Sequence, residues 1–255
     1  MLQYYLADNK RLIKPPINSI IKVLFTGGFV MPKKESCKVE KADDNKDMIY
    51  FYVGDETIVI NPCADEINHM DTSSPVHFML TDMEDEHVSG LAAMIKSMTL
   101  NDMISPYDIR VYYPNGNLVN MLDRKGVSND KYTFYINLWD DMNVGGYRKG
   151  MEYIFEKNQG TYESYSLEFS MKNEFCVYFS GNSPIVKQRV IDTRIYDRIY
   201  QWCGNATTKD YPGYDEVVKA FSGKYKRKTV WLVDNEAGFD NQKAESDGFM
   251  LVDNI

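Results

Sequence analysis

The chain has 255 residues, 44% of them hydrophobic and 26% charged, with a formal net charge of −8. That length and composition suit a soluble globular protein that buries its own core without staples. The acidic balance argues against a nucleic-acid backbone as the main partner, because phosphate binding needs a basic face. No stretch approaches the roughly 18 apolar residues of a membrane span, and the opening MLQYYLADNKRLIKPP lacks the apolar run of a signal peptide. Cys37, Cys63, Cys176 and Cys203 are far apart and form no CxxC pair, so neither a zinc knuckle nor a redox motif is indicated. A cytoplasmic, reduced protein with no membrane association is expected.

Branched and aromatic runs predict strands at IKVLF (21–25), MIYFYV (48–53), TIVIN (57–61), VHFML (76–80), DIRVYY (108–113) and YTFYIN (132–137). Further strands are predicted at YSLEFSM (165–171), EFCVYFS (174–180), RIYDRIYQW (194–202) and TVWLV (229–233). The charged stretch 33–47 reads as a surface loop, and VGDET (53–57) as a hairpin turn. Three segments carry helical spacing. EHVSGLAAMIKSM (86–98) lines up Val88, Leu91, Met94 or Ile95, and Met98 behind an acidic start. GYDEVVKAFSGKY (213–225) aligns Val217, Val218 and Phe221, and DNQKAESDGF (240–249) ends at Gly248. The basic strip Lys224, Lys226, Arg227 and Lys228 suits a helix C-terminus. With no repeat and no linker, one domain is expected over 1–255, with residues 1–19 as an N-terminal extension. Strands early and late, with helices after some of them, imply a layered α/β or α+β arrangement.

The stretch TDMEDEHVSGL (81–91) holds Asp82, Glu84, Glu86 and His87 within six residues, immediately before the first helical segment. It reads either as a metal site or as an acidic helix start.

The ordered series of pieces resembles the metallo-β-lactamase superfamily, in its small hydrolase and phosphodiesterase branch. IKVLFTGG (21–28) resembles the opening strand and glycine turn. YVGDETIVINPC (52–63) is similar to the hairpin that usually ends in Asp-x-Gly, with Asn61 in the Asp place and Cys63 in the Gly place. HFMLTDMEDEHVSGL (77–91) resembles the loop that normally reads T-H-x-H-x-D-H-x-x-G-L, matching at Thr81, His87, Gly90 and Leu91. FSGNS (179–183) resembles the S-G-D-[ST] turn, and TVWLVDNEAGFDNQKAESDGFMLV (229–252) the last ligand loop, closing helix and final strand. The resemblance implies an αββα four-layer sandwich of two mainly antiparallel sheets.

Carried over position by position, the resemblance puts the first two loop histidines on Asp82 and Glu84, the aspartate on Glu86 and the last loop histidine on His87. The bridging aspartate falls on Asn182 and the final histidine on Asp234. The histidine expected near 156–164 is missing, with Asn158 or Thr161 in its region. The chain has only three histidines, His69, His77 and His87. Zinc favours nitrogen and sulfur donors, and an amide at 182 offers a neutral oxygen where a bridge needs charge. A dizinc site of the family type therefore cannot be assembled. The expectation is a non-catalytic or attenuated relative that binds a small-molecule ligand or a protein partner. The alternative is a hydrolase of phosphodiester or ester bonds that holds Mg, Mn or Ca on Asp82, Glu84, Glu86, His87 and Asp234, an oxygen-rich set suited to hard cations.

Other chemistries are weaker. Ser180 and Ser183 do not fit a G-x-S-x-G elbow, and TGG (26–28) lacks the rest of a phosphate loop. The 19 tyrosines read as packing residues rather than base-stacking platforms in so acidic a chain.

Overall fold

Five antiparallel pairings between consecutive strands and a series of helical crossovers build a pair of facing sheets. The computed structural model describes residues 37–41, 48–53, 56–63, 75–100, 104–136, 143–148, 151–171, 175–192, 196–223, 227, 229–234 and 239–252. All of them lie in one compact unit, Lys33–Ile255. The expected extension 1–19, the strand and glycine turn at 21–28 and His69 fall outside the described residues.

The first sheet runs β1 (Cys37–Lys41), β2 (Ile49–Val53), β3 (Glu56–Ile60), β4 (Val76–Met79), β5 (Ile109–Tyr112) and β6 (Thr133–Tyr135), in that spatial order. The second holds β7 (Asn143–Arg148), β8 (Met151–Lys157), β9 (Tyr165–Met171), β10 (Phe175–Phe179), β11 (Arg198–Cys203), β12 (Val230–Asp234) and β13 (Met250–Leu251), again in sequence order across the sheet. The helices are α1 (Asp85–Leu100), α2 (Asn117–Arg124), α3 (Gln188–Asp192), α4 (Tyr214–Ala220) and α5 (Asn241–Ser246).

Both sheets are mixed, a correction to the expectation of mainly antiparallel ones. Pairing is antiparallel from β1 to β3 and from β7 to β10, and parallel from β3 to β6 and from β10 to β13. The connections explain the difference. A connection as short as the one from Val53 to Glu56 can only return the chain antiparallel, whereas α1, α2, α4 and α5 each carry it back to the starting edge for a parallel strand.

Sequence reading also misses elements. Residues 37–41 lie inside the expected surface loop yet pair with β2 as an edge strand. Their composition, CKVEK, shows why: charge and lysine are what edge strands use to stay soluble. β7, β8, α2 and α3 are likewise absent from the expected elements. β8 alternates buried and half-exposed residues, Met151, Tyr153 and Phe155 pointing inward, so its period-2 signal is present in MEYIFEK.

Strand alternation sorts the core. Phe51 projects between the sheets and meets Phe169, Phe175, Phe179 and Tyr200, while Phe179 and Tyr200 stack with centroids 4.5 Å apart. The opposite face of the first sheet, with Val59, Phe78 and Val111 in register, joins Val88, Leu91, Ile95 and Met98 of α1 in the same buried cluster. The outer face of the second sheet, including Tyr178, Ile199 and Leu232, buries with Val190 of α3, Val217 of α4 and Ala244 of α5. The result is the four-layer order helix–sheet–sheet–helix. Arg227, part of the basic strip, donates to the Val218 and Phe221 carbonyls, closing the C-terminus of α4 as cations there do. No helix among the described residues is long and apolar enough to cross a membrane.

Candidate functional site

The site forms where the C-terminal ends of β3, β4, β10 and β11 meet. Asn61, just past β3, has φ 50°, a left-handed conformation that asparagine tolerates better than most residues. Its buried side chain clamps Thr81 beyond β4: Oδ1 accepts the Thr81 backbone N–H at 2.9 Å and Nδ2 donates to Thr81 Oγ1 at 2.9 Å. The Thr81 carbonyl in turn accepts the Tyr165 N–H at 2.7 Å, and Asp82 bridges to Ser164. These bonds tie the end of the first sheet to the start of β9 in the second.

Asp82 is 3% exposed, and its carboxylate is filled by the protein. Oδ1 accepts the Glu84 N–H at 3.0 Å and lies 2.6 Å from His87 Nδ1, and Oδ2 accepts from Thr81 Oγ1 at 3.2 Å. Burial alone would raise the Asp82 pKa, but the hydrogen bond and charge of His87 outweigh it and hold the carboxyl below its ordinary value. An ionised carboxylate only accepts, so His87 Nδ1 carries the hydrogen of this contact. His87 sits in the first turn of α1, which approaches closely because Gly90 has no side chain. A Cβ there would stand 2.1 Å from the Pro62 carbonyl oxygen.

Glu84 lies exposed on the same wall. Partial burial and the neighbouring Asp82 charge raise its pKa. Facing it, Asn182 donates from Nδ2 to Glu84 Oε1 at 3.3 Å. Asn182 is held by the turn after β10, where Gly181 adopts φ 56° and the Asn182 carbonyl accepts from Ser164 Oγ at 2.7 Å. Asn158 braces this turn from behind by donating to the Ser180 carbonyl at 2.9 Å.

The residues read from sequence thus separate. Asp82, Glu84, His87 and Asn182 line one pocket of about 300 Å³, with Asn61. Glu86 is exposed and outside the lining, its Oε1 3.7 Å from Cys63 Sγ. Asp234 is placed by its backbone: it ends β12 in register with Cys203, next to the lining residue Trp202. Thr161 does not line the pocket, but its N–H donates to Asp210 Oδ1 at 2.9 Å, latching loop 158–164 to loop 205–213 across the mouth. His77 is remote, buried between the sheets with Nδ1 2.9 Å from the Tyr112 hydroxyl and Nε2 2.8 Å from Arg110. Cys203 is buried in the outer cluster of the second sheet.

Tyr162, Trp202, Asp210 and Tyr211 also line the pocket, and sequence reading does not single them out. The available signal is positional. Trp202 ends a strand run, and KDYPG (209–213) is a turn-forming segment after it, at the carboxyl ends of the strands where ligands of open sheets bind.

No family model and no curated protein matches the sequence. Solved structures do. YhfI of Bacillus subtilis, a metallo-β-lactamase fold protein, superposes with TM-score 0.61 at 9% identity, over 83% of this chain and 89% of its own. A diphosphatase of the PhnP family gives 0.60 at 12% identity, over 80% and 79%. The short form of human tRNase Z gives 0.59 at 11% identity, over 84% and 95%. The chain has the metallo-β-lactamase fold.

The resemblance implies metal ligands at this end of the sheets, so the donors present here decide what the site can hold. Asp82, Glu84 and His87 offer atoms within 4.8 Å of one another. Two zinc ions do not fit this set. Among the described residues the site supplies one imidazole, two carboxylates, of which that of Asp82 is already bonded to three protein donors, and the neutral amide of Asn182, short of the nitrogen donors that zinc favours. A single hard cation is compatible with two carboxylates and an imidazole.

Proposed function

We propose that this metallo-β-lactamase-fold protein acts by binding a ligand in the pocket between Asp82 and Asn182, without a dizinc hydrolytic centre. The observation that carries this reading is the Asp82–His87 contact. The first family position, where a histidine would hold metal, instead holds a buried carboxylate spent on orienting the one remaining loop histidine. Without a metal pair, water is not activated near neutral pH by the route this fold family uses. Elemental analysis of full-length protein purified without chelator tests the reading. Zinc well below one equivalent per chain is expected, and a zinc pair per chain overturns it.

The spacing of Asp82, Glu84 and His87 favours a second reading. In it, one magnesium, manganese or calcium ion sits on these three groups and polarises a phosphodiester or similar ester. A diphosphatase and a tRNase are among the structural neighbours. Hydrolysis of bis-p-nitrophenyl phosphate that depends on added manganese and disappears in Glu84→Gln would establish this reading over the first.

A further inference from the structure

We infer that the pocket takes an organic cation, an ammonium or quaternary ammonium group on a small apolar body. The inference rests on the reading that no zinc pair occupies the site. Three carboxylates line the cavity, those of Asp82, Glu84 and Asp210, against one imidazole and, among the described residues, no lysine or arginine. Asp82 is matched by His87. Among the described residues, Glu84 accepts a hydrogen bond from the neutral amide of Asn182, and Asp210 one from the backbone N–H of Thr161. Two anionic groups therefore face the cavity with neutral hydrogen-bond donors, in a concave site that concentrates their field. Phosphates and carboxylic acids are repelled from such a surface, and cations are drawn in.

The aromatic residues distinguish an organic cation from a bare metal ion. Trp202, 2% exposed, Tyr162, 66% exposed, and Tyr211 line the cavity together with these carboxylates. A hydrated divalent ion gains little from these rings. An alkylammonium gains twice, through attraction of its charge to the ring faces and through burial of its methylenes. It would also cover Tyr162. The volume of about 300 Å³ matches the lower end of small-molecule sites.

Isothermal titration of the full-length chain tests this, using choline chloride and butylammonium chloride as probes. Sodium phosphate, uridine monophosphate and calcium chloride serve as counter-probes, and zinc content is measured on the same sample. Ammonium binding is expected at low ionic strength, weakening as salt rises. Glu84→Gln should weaken it about tenfold and Tyr162→Ala about three- to tenfold. Both side chains are exposed, so both variants should keep the wild-type melting temperature. Binding of the anions or of calcium alone, or ammonium binding indifferent to both substitutions, overturns the inference. A zinc-free protein that ignores both ammonium probes sinks this inference and leaves the reading without a zinc pair standing. A zinc pair per chain sinks both.

Discussion

His87 Nδ1 and Asp82 Oδ1 are 2.6 Å apart in a wall where both residues are buried. The pair joins the loop after β4 to the first turn of α1, so it is part of the scaffold as well as of the pocket. Truncating one partner strands the other in a poorly solvated place, which costs about 2–4 kcal/mol. His87→Ala and Asp82→Asn should each lower stability by that order in urea unfolding. The double variant should fall short of their sum by about 1–3 kcal/mol, as expected for groups in contact. Chelator should leave the wild-type transition unchanged. Additive losses, or a fall in stability with chelator, would mean that the two residues act through a metal instead.

Asn182 faces Glu84 at 3.3 Å, so Asn182→Asp sets a second carboxylate against an existing one. Like charges at this distance raise each other's pKa, and Glu84 is already raised by burial and by Asp82. The variant should lose about 1 kcal/mol at pH 7, a partly exposed pair being screened by solvent. The sign follows from the raised pKa. Protonating one carboxyl relieves the repulsion, so the deficit shrinks as pH falls toward the carboxylate range. Added calcium should recover the loss at pH 7, and a variant indifferent to both acid and calcium would show that the two side chains do not face each other.

How much of this is legible beforehand depends on where the signal lies. The strand at 165–171 and the three longest-patterned helical segments are legible because alternation and three-four spacing are local. The site is legible in part, since Asp82, Glu84 and His87 are neighbours in sequence and Asn182 sits in the FSGNS turn. The grouping of Trp202, Tyr162 and Asp210 is not, because it depends on two loops that are latched only in three dimensions. Glu86 is indistinguishable from Glu84 in a charge run. Helix geometry separates them: Glu84 lies before the first turn, facing Asn182, and Glu86 lies within it, turned toward Cys63. The parallel halves of both sheets are also hidden, since the crossovers through α1 and α2 decide strand direction and the sequence pattern does not reveal α2.

At the other end of the first sheet, Arg110 is fully buried and donates to Glu56 Oε1 at 3.2 Å and Asp108 Oδ1 at 3.3 Å, with His77 beside it. The hydrogen bond from His77 and the charge and bonds of His77 and Arg110 overcome burial and hold the Glu56 carboxyl at about 2, from an ordinary 4.5. A lowered pKa gives stability that is present above the unfolded value and lost as pH falls through the folded one. The shift implies about 3 kcal/mol, which solvent screening at the part-exposed carboxylate reduces to on the order of 1–2 kcal/mol. Stability should therefore decline between pH 4.5 and about 2, and Glu56→Gln should flatten that part of the profile. At pH 7 the same variant leaves the Arg110 charge short of a partner and should unfold about 2–4 kcal/mol more easily. An unchanged acid limb in Glu56→Gln would remove Glu56 from this role.

The approach of α1 to the site rests on Gly90, where a Cβ would meet the Pro62 carbonyl oxygen at 2.1 Å and Cys63 Cα at 2.7 Å, both backbone atoms that cannot swing aside. Gly90→Ala should force α1 away from the end of β3, at a cost of about 1–3 kcal/mol for overpacking. Because His87 lies one turn earlier on the same helix, the displacement should also loosen its contact with Asp82 and weaken any ligand that the pocket binds. Gly116 provides the comparison. It precedes α2 at φ −62°, ψ −13°, and the place a Cβ would take there has open space for 4 Å around it. Gly116→Ala fits that backbone and should be neutral or stabilising by about 0.4–1 kcal/mol, through the unfolded chain. Urea midpoints of the two variants, measured together, check the argument. Equal effects at both positions would mean that α1 is not pressed against the β3 loop.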